Sequence, residues 1–255
     1  MIVYIFFLHI QMYIDVVFYI LFIYMYVNFK ILCDDSIRWL KNQPNRSVPN
    51  FITGIPDLNE LNQLSNQEIS IEQYKQFFNH VARSIFQKVK EDGYCIFIQT
   101  DRKMDGQLID KSYLLTHIAD QLGFKLLWHK IVCLRDIGKK NLFRPTYSHF
   151  MCYSINGTPG QAFEDVLPVS PKLYENATPY AAAKAATDFL SKQIKKQKKN
   201  PNDSPYDVVD PFIGQGTIGV TAIQNGLSFL GIDIDKKQCQ LSQKLLQQTF
   251  DQIHQ

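Results

Sequence analysis

The sequence predicts an α/β fold built on a mostly parallel, doubly wound sheet. Seven short apolar runs have the composition of strands, and helix-like segments separate most of them. A glycine-rich turn joins a strand to a helix near the C-terminus, as at ligand sites in such sheets. Two strands, at 124–134 and 148–154, follow each other without a helix between them. This adjacency predicts one antiparallel edge hairpin.

The part of the chain before the hairpin alternates strands with helices. The predicted strands are 31–33, 48–53 and 94–98, and the predicted helices start at 37 and run over 71–89 and 111–122. Ser70 is a suitable N-cap for the second helix, whose apolar residues recur at helical spacing. A turn at 91–93 leads into the third strand, and Gly123 ends the third helix.

The part after the hairpin also alternates. A helix over 179–198 has Thr178 as its cap and Pro179 at its first position, where proline is favoured. The remaining predicted elements are a strand at 206–209, a helix at 218–225, a strand at 227–233 and a helix at 236–250.

Composition limits the function only loosely. The chain has 255 residues, enough for one α/β domain, and a net charge of +3, which permits a nucleic-acid partner without requiring one. The basic run at 195–199 is interpreted as a solvated helix end. Five cysteines occur without a C-x-x-C pair, so we expect buried thiols, no metal site and an intracellular location in the cytoplasm or nucleus.

Residues 1–28 are almost wholly apolar and aromatic, and the run is long enough to span a bilayer. Asp15 in its middle costs about 2.5–3.5 kcal/mol at a membrane centre. Two interpretations stay open. The segment is a membrane anchor, or it is non-native sequence from an incorrect gene model. The second is favoured because we expect residues 29–255 to make up a single domain without the segment.

The turn at 210–217 reads D-P-F-I-G-Q-G-T and carries the strongest functional signal. Gly214, Gly216 and Gly219 have the G-x-G-x-x-G spacing of a dinucleotide site. Asp210 would repel a pyrophosphate but attract the amino group of S-adenosyl-L-methionine. Asp233 ends the next strand, where a carboxylate accepts hydrogen bonds from ribose hydroxyls. S-adenosyl-L-methionine is therefore favoured over NAD, and glycines required only for packing are the third interpretation.

The turn at 210–217 resembles motif I of the amino-methyltransferases that act on nucleic acids, and residues 231–233 resemble their next motif. Because the cofactor half comes last, residues 30–250 resemble the circularly permuted β-class. The resemblance implies a Rossmann-like, seven-stranded methyltransferase sheet, S-adenosyl-L-methionine as cofactor, and N-methylation of RNA or DNA. The implied cofactor-binding residues are Asp35, Asp210, Pro211, Phe212, Gly214, Gly216, Thr217 and Asp233.

The catalytic motif departs from that family. Where its members carry D/N/S-P-P-Y/F/W, this chain has G-I-P-D at 54–57, with no amide or acid at the first place and no ring at the fourth. In that family the ring stacks on a flipped base. Either the site is rebuilt, or the protein is a catalytically inactive, methyltransferase-like partner subunit.

A rebuilt site has candidates at the tips of the neighbouring strands. The catalytic candidates are Pro56, Asp57 and Asp101, and the substrate-binding candidates are His129, Tyr147 and His149. A histidine titrates near neutral pH and can take up a proton from an attacking nitrogen. The two aspartates are alternatively caps of helices or turns, and His129 alternatively bonds within the core. Trp128 is favoured as a core residue.

Recognition of the substrate has little dedicated sequence. The connecting segments at 136–144 and 155–177 are too short for a separate recognition domain. A structured RNA read by its shape, a DNA, or a protein partner that supplies recognition are therefore all open. A membrane partner is expected only if residues 1–28 are a genuine anchor.

Overall fold

The computed structural model describes residues 27–253 except 66, 172, 175–176, 195–196 and 198–203. Most of the apolar segment 1–28 and most of the basic run 195–199 lie outside these residues. Within the described ranges, no helix combines the length and the apolar character needed to cross a membrane.

The described residues form ten strands and seven helices. The strands are β1 (Phe29–Cys33), β2 (Val48–Thr53), β3 (Val89–Gln99), β4 (Arg102–Met104), β5 (Gln107–Ile109), β6 (Lys125–Cys133), β7 (Tyr147–Ser154), β8 (Val166–Leu167), β9 (Val208–Asp210) and β10 (Phe229–Asp233). The helices are α1 (Ser36–Asn42), α2 (Leu58–Ser65), α3 (Ile71–Lys88), α4 (Lys111–Gln121), α5 (Tyr180–Ile194), α6 (Thr217–Gln224) and α7 (Lys236–Ile253).

Eight of the strands form one sheet in the order β1-β10-β9-β2-β3-β7-β6-β8. The first five run parallel, whereas β7 runs antiparallel to both β3 and β6. The doubly wound sheet and the antiparallel hairpin are therefore confirmed. The sheet has one strand more than the seven predicted, because β8 adds a two-residue pairing outside β6. A strand this short leaves no alternating pattern in the sequence.

Helices cover both faces of the sheet, and alternate strand residues point to opposite sides. Phe51 and Phe97 pack into one core cluster, which includes residues of α3 and α4. Ile52 and Ile96 pack into the other, which includes residues of α5, α6 and α7. Trp128 lies against the rings of Phe150, Phe163 and Phe189 at 4.7, 5.3 and 5.4 Å between ring centres, so its predicted core position is confirmed.

Local signals explain where the long helices begin and end. Ser70 and Gln73 form a capping box at the start of α3, as the sequence predicts. Asp110 caps α4 through the Tyr113 amide, and Gly123, with φ of +76°, follows the end of that helix.

Two local predictions differ from the structure. Residues 91–93 lie inside β3 rather than in a turn, and the pairing register with β2 shifts there. Gly93 permits this irregularity because a Cβ at that position would lie 2.0 Å from the carbonyl oxygen of Pro49. The five cysteines are free, and Cys95, Cys152 and Cys239 are buried as expected. Cys133 is only half-buried, and Cys33 is exposed because β1 is an edge strand.

Candidate cofactor and active site

The site lies where the direction of the sheet's connections reverses. From β9 the chain continues through α6 to β10 on one side, whereas β2 leads through α3 to β3 on the other side. The carboxyl ends of β9 and β2 are therefore neighbours, and ligands of sheets with this topology bind at such a reversal point.

The glycine turn follows β9 and begins α6. Gly214 has φ of +54°, and a Cβ there would meet no atom within 4 Å. A Cβ at Gly216 or Gly219, in contrast, would lie 2.8 or 2.7 Å from the side chain of Leu246. Gly214 thus borders open space in which a ligand fits, whereas Gly216 and Gly219 let α6 pack closely against α7.

Asp233 ends β10 and faces this turn. Its two carboxylate oxygens accept hydrogen bonds from the amides of Gly214 at 3.0 Å and Asp235 at 2.9 Å. Partial burial raises the pKa of Asp233, and the two amide bonds oppose that rise. Because each carboxylate oxygen has two lone pairs, Asp233 retains capacity to accept ribose hydroxyls.

Asp210 ends β9 and is 1% exposed. The Thr53 hydroxyl and the Phe212 amide donate to one of its oxygens at 2.7 and 3.0 Å. Burial raises the pKa of Asp210 to about 7. A buried carboxylate without a cation is stabilised by a positively charged ligand and destabilised by a phosphate. The buried carboxylate of Asp210 therefore suits the positively charged sulfonium and amino groups of S-adenosyl-L-methionine.

The other predicted cofactor residues lie around the same turn. Asp35 caps α1, because its side chain accepts a hydrogen bond from the Ile37 amide at 2.8 Å. It lies shortly after Cys33, which pairs with Asp233 at the carboxyl ends of β1 and β10. The Ser36 hydroxyl donates to the carbonyl of Pro211. Phe212 packs against one of the core clusters. Thr217, the first residue of α6, shares a 3.0 Å hydrogen bond with the Tyr174 hydroxyl.

The loop at 54–57 follows β2 and is held by its neighbours. The side-chain amide of Gln99 accepts from the Ile55 amide at 2.8 Å and donates to the Ile55 carbonyl at 2.9 Å. The Tyr74 hydroxyl donates to the Pro56 carbonyl at 3.2 Å. A Cβ at Gly54 would lie 2.9 Å from the carbonyl oxygen of Ile98. Close backbone approach therefore excludes a side chain where the resembling family carries its acid or amide.

Asp57 immediately precedes α2 and pairs with two cations. One carboxylate oxygen lies 2.9 Å from Lys111 Nζ and accepts from the Leu58 amide, and the other lies 3.5 Å from Arg102. The Lys111 side chain is 1% exposed, and burial lowers its pKa while Asp57 opposes the change. The geometry shows Asp57 fixing the loop, and its catalytic role stays a prediction.

Asp101, His149 and His129 form one hydrogen-bonded chain. Asp101 Oδ2 lies 2.9 Å from His149 Nε2, and His149 Nδ1 lies 2.8 Å from His129 Nε2. The ring of Tyr147 lies 5.5 Å from that of His149. Partial desolvation and the neighbouring His149 lower the pKa of His129 below its ordinary value of 6.5, which favours the neutral ring near pH 7. Four of the predicted catalytic or substrate residues are thus adjacent.

The carboxylate of Asp110, the N-cap of α4, lies beside Asp101 and His149. One side-chain atom each of Asp101, Asp110 and His149 lies within 4.8 Å of the others, a spacing that would suit a metal ion. Asp101 and His149 already bond to each other, and Asp110 caps α4. The cluster thus has a structural explanation without an ion.

Three residues of the site were missed by sequence analysis. Thr53 bonds to Asp210, Lys111 pairs with Asp57, and Tyr174 bonds to Thr217. The position of Thr53 at a strand end is a usable signal. Lys111 lies in the first turn of a helix, where nothing in the sequence distinguishes it from an exposed lysine.

Comparison with known proteins bears on this arrangement. A family model described as DNA methylase matches residues 205–244, which contain the glycine turn and Asp233. The type II methyltransferase M.HpaI of Haemophilus parainfluenzae is 21% identical over 243 residues, covering 87% of this chain and 75% of that protein.

Solved structures share the fold. TTHA0409 of Thermus thermophilus, in complex with S-adenosyl-L-methionine, has a TM-score of 0.62 at 18% identity, covering 88% of this chain and 96% of that one. The cytosine-N4-specific PvuII DNA methyltransferase has a TM-score of 0.58 at 18% identity, covering 89% and 92%. The sequence motifs and these matches agree: the chain is an S-adenosyl-L-methionine-dependent methyltransferase, and its glycine turn matches the family model described as DNA methylase.

Proposed function

We propose that this protein methylates an exocyclic amine of a base in DNA. The observation that carries the proposal is the 2.7 Å hydrogen bond between Thr53 and Asp210, which joins the cofactor turn to the loop at 54–57. DNA is favoured over RNA because the matching family model is described as DNA methylase and the PvuII enzyme is named a DNA methyltransferase. A DNA substrate agrees with the predicted intracellular location.

The cofactor residues divide the binding between them. Asp233 accepts hydrogen bonds from the ribose, the open space at Gly214 admits the ligand close to the backbone, and Asp210 balances positive charge. S-adenosyl-L-methionine supplies an electrophilic methyl group. Orientation of the amine towards that group accounts for much of the acceleration in such transfers.

The backbone of the 54–57 loop replaces the missing side chain at Gly54. In this proposal a carbonyl oxygen of the loop accepts a hydrogen bond from the target amine. The carbonyls of Ile55 and Pro56 already accept one bond each, from Gln99 and Tyr74, and a carbonyl has a second lone pair. Asp57 holds the loop at Pro56 in place through Lys111 and Arg102.

The proton that the attacking nitrogen loses needs an acceptor. As the N–C bond forms and the C–S bond breaks, the nitrogen becomes cationic and releases a proton. His129 is neutral near pH 7 and exposed. It is the outer member of the hydrogen-bonded series that continues through His149 to Asp101. We assign the role of proton acceptor to this hydrogen-bonded series of His129, His149 and Asp101. Tyr147, which is 36% exposed, offers the stacking ring that the loop lacks.

Methyl transfer from isotopically labelled S-adenosyl-L-methionine to duplex DNA of mixed sequence tests the proposal, with mass spectrometry of the released nucleosides. We expect label in an N-methylated base, and about a 100-fold lower rate for His149→Asn, since general-base catalysis contributes about 10²–10⁴-fold. Lys244→Gln, an exposed change on α7, is the matched control. Label in RNA but not in DNA, or cofactor binding without transfer to either polymer, would overturn the proposal.

A further inference from the structure

We propose that the loop at 134–146, here called the β6–β7 loop, contacts duplex DNA and inserts Leu142 and Phe143 where the target base leaves the stack. The inference rests on the proposed function and assigns part of the substrate recognition to a segment too short to be a domain. The proposed partner of this loop is double-stranded DNA.

The β6–β7 loop projects from the catalytic edge of the sheet. β6 ends at Cys133 and β7 begins at Tyr147, and the Leu134 amide closes the base of the loop on the Thr146 carbonyl at 2.8 Å. His149, near the start of β7, pairs in register with Gln99, whose side chain holds the 54–57 loop. The β6–β7 loop is therefore next to the strand end that carries the active site.

β4 also connects the β6–β7 loop to the 54–57 loop. The Lys103 amide donates to the Phe143 carbonyl at 2.9 Å, and the Arg102 guanidinium lies 6.0 Å from the centre of the Phe143 ring. Arg102 in turn lies 3.5 Å from Asp57. One arginine thus contacts both the exposed ring and the residue that fixes the 54–57 loop.

Three large apolar side chains of the loop are exposed to solvent. Ile137 is 98% exposed, Leu142 83% and Phe143 63%. Isolated exposed apolar residues are normal, but several on one short loop mark an interaction site. Proteins that unstack DNA insert leucine, isoleucine or phenylalanine between bases, and methyltransferases that flip a base leave a gap in the duplex. Leu142 and Phe143 have the size and apolar character to fill that gap.

The charge of the same loop indicates which partner it meets. Its four basic side chains are Arg135, Lys139, Lys140 and Arg144, and its one acidic side chain is Asp136. Arg135, Lys139 and Lys140 are exposed. The basic residues flank the apolar ones, which is the arrangement expected when phosphates lie on either side of an inserted wedge. An apolar protein surface alone would not require these cations.

Fluorescence anisotropy with a labelled mixed-sequence DNA duplex at several salt concentrations tests the cationic part of the proposal. For the full chain carrying Lys139→Gln and Lys140→Gln, we expect weaker binding and a salt slope reduced by about two, one for each phosphate contact. The double change Leu241→Ala and Lys244→Gln is the control, because both residues are exposed on α7, which packs beside β1 at the other end of the sheet.

Methyl transfer tests the wedge. We expect Leu142→Ala with Phe143→Ala to lower transfer to duplex DNA about tenfold, while transfer to single-stranded DNA and affinity for S-adenosyl-L-methionine stay unchanged. A single strand has no gap to fill. An equal loss on both substrates, an unchanged salt slope, or tighter binding of duplex RNA through the same lysines would overturn the inference. If the unmodified protein methylates no DNA, the proposed function fails, but the anisotropy measurements still decide whether the loop binds DNA.

Discussion

The charge of Asp210 is expected to make cofactor binding depend on pH. Burial raises the pKa of this carboxyl group to about 7 from its ordinary value of 3.8. A positively charged ligand favours the ionised form, so the ligand must shift a group that is half protonated at neutral pH. The affinity for S-adenosyl-L-methionine should therefore rise as the pH rises through about 7.

The size of the effect follows from the titration. If only the ionised form binds, about one molecule in eleven is competent one pH unit below the pKa and about ten in eleven one unit above it. The dissociation constant should fall about tenfold between about pH 6 and about pH 8, or about 1.4 kcal/mol.

The stability of the ligand-free protein should change in the opposite direction. The folded-state pKa of Asp210 is raised, so the neutral carboxyl stabilises the fold fully below about pH 4, its unfolded value. That contribution is lost as the pH rises through about 7. Folding stability and cofactor affinity thus respond to one ionisation with opposite signs.

Isothermal titration calorimetry at constant ionic strength measures the affinity across this range. Asp210→Asn is the matched control, because its amide oxygen can still accept from Thr53 and Phe212 while it cannot ionise. The variant should bind more weakly than the unmodified protein at about pH 8 and lose the tenfold change. Ionisation of the cofactor itself contributes equally to both proteins. An identical pH dependence in the two proteins would refute the reasoning.

Three further changes test the site and its supports. Asp233→Ala should weaken S-adenosyl-L-methionine binding at least about tenfold by calorimetry, since hydrogen bonds to a charged acceptor contribute about 1.5–3 kcal/mol; unchanged affinity would remove Asp233 from the ribose site. Gly219→Ala should lower the free energy of unfolding by about 1–3 kcal/mol in urea titrations, because its Cβ would meet Leu246 at 2.7 Å; full stability would contradict the packing role. Lys111→Met should destabilise by about 3 kcal/mol by leaving Asp57 poorly paired, and adding Asp57→Asn should restore part of that loss.

Features whose information lies within a short stretch of the chain were predicted correctly from the sequence. Ser70 marks the start of α3 because its hydroxyl bonds within the same turn of helix. The hairpin followed from two strands adjacent along the chain. The short strands β4, β5 and β8, of two or three residues each, were not predicted because so few residues form no pattern.

The chemistry around the active site could not be predicted in the same way. Asp101 and His149 are 48 residues apart, and Asp57 and Lys111 are 54 apart, so only the pairing of distant strands and the docking of α4 bring them together. The structure also distinguishes the roles of the three glycines, which the G-x-G-x-x-G spacing does not distinguish. Leu246 on α7 limits Gly216 and Gly219, whereas Gly214 borders open space.

The sequence by itself determined the cofactor half of this protein, because the turn at 210–217 and Asp233 lie within one strand-helix-strand unit whose geometry is local. Only the tertiary structure decided what surrounds the loop at 54–57. Gly54 lacks a side chain because the Ile98 carbonyl approaches it, and Asp57 is held by cations from distant elements. Contacts of this kind depend on how separate segments pack, and one-dimensional spacing does not record that packing.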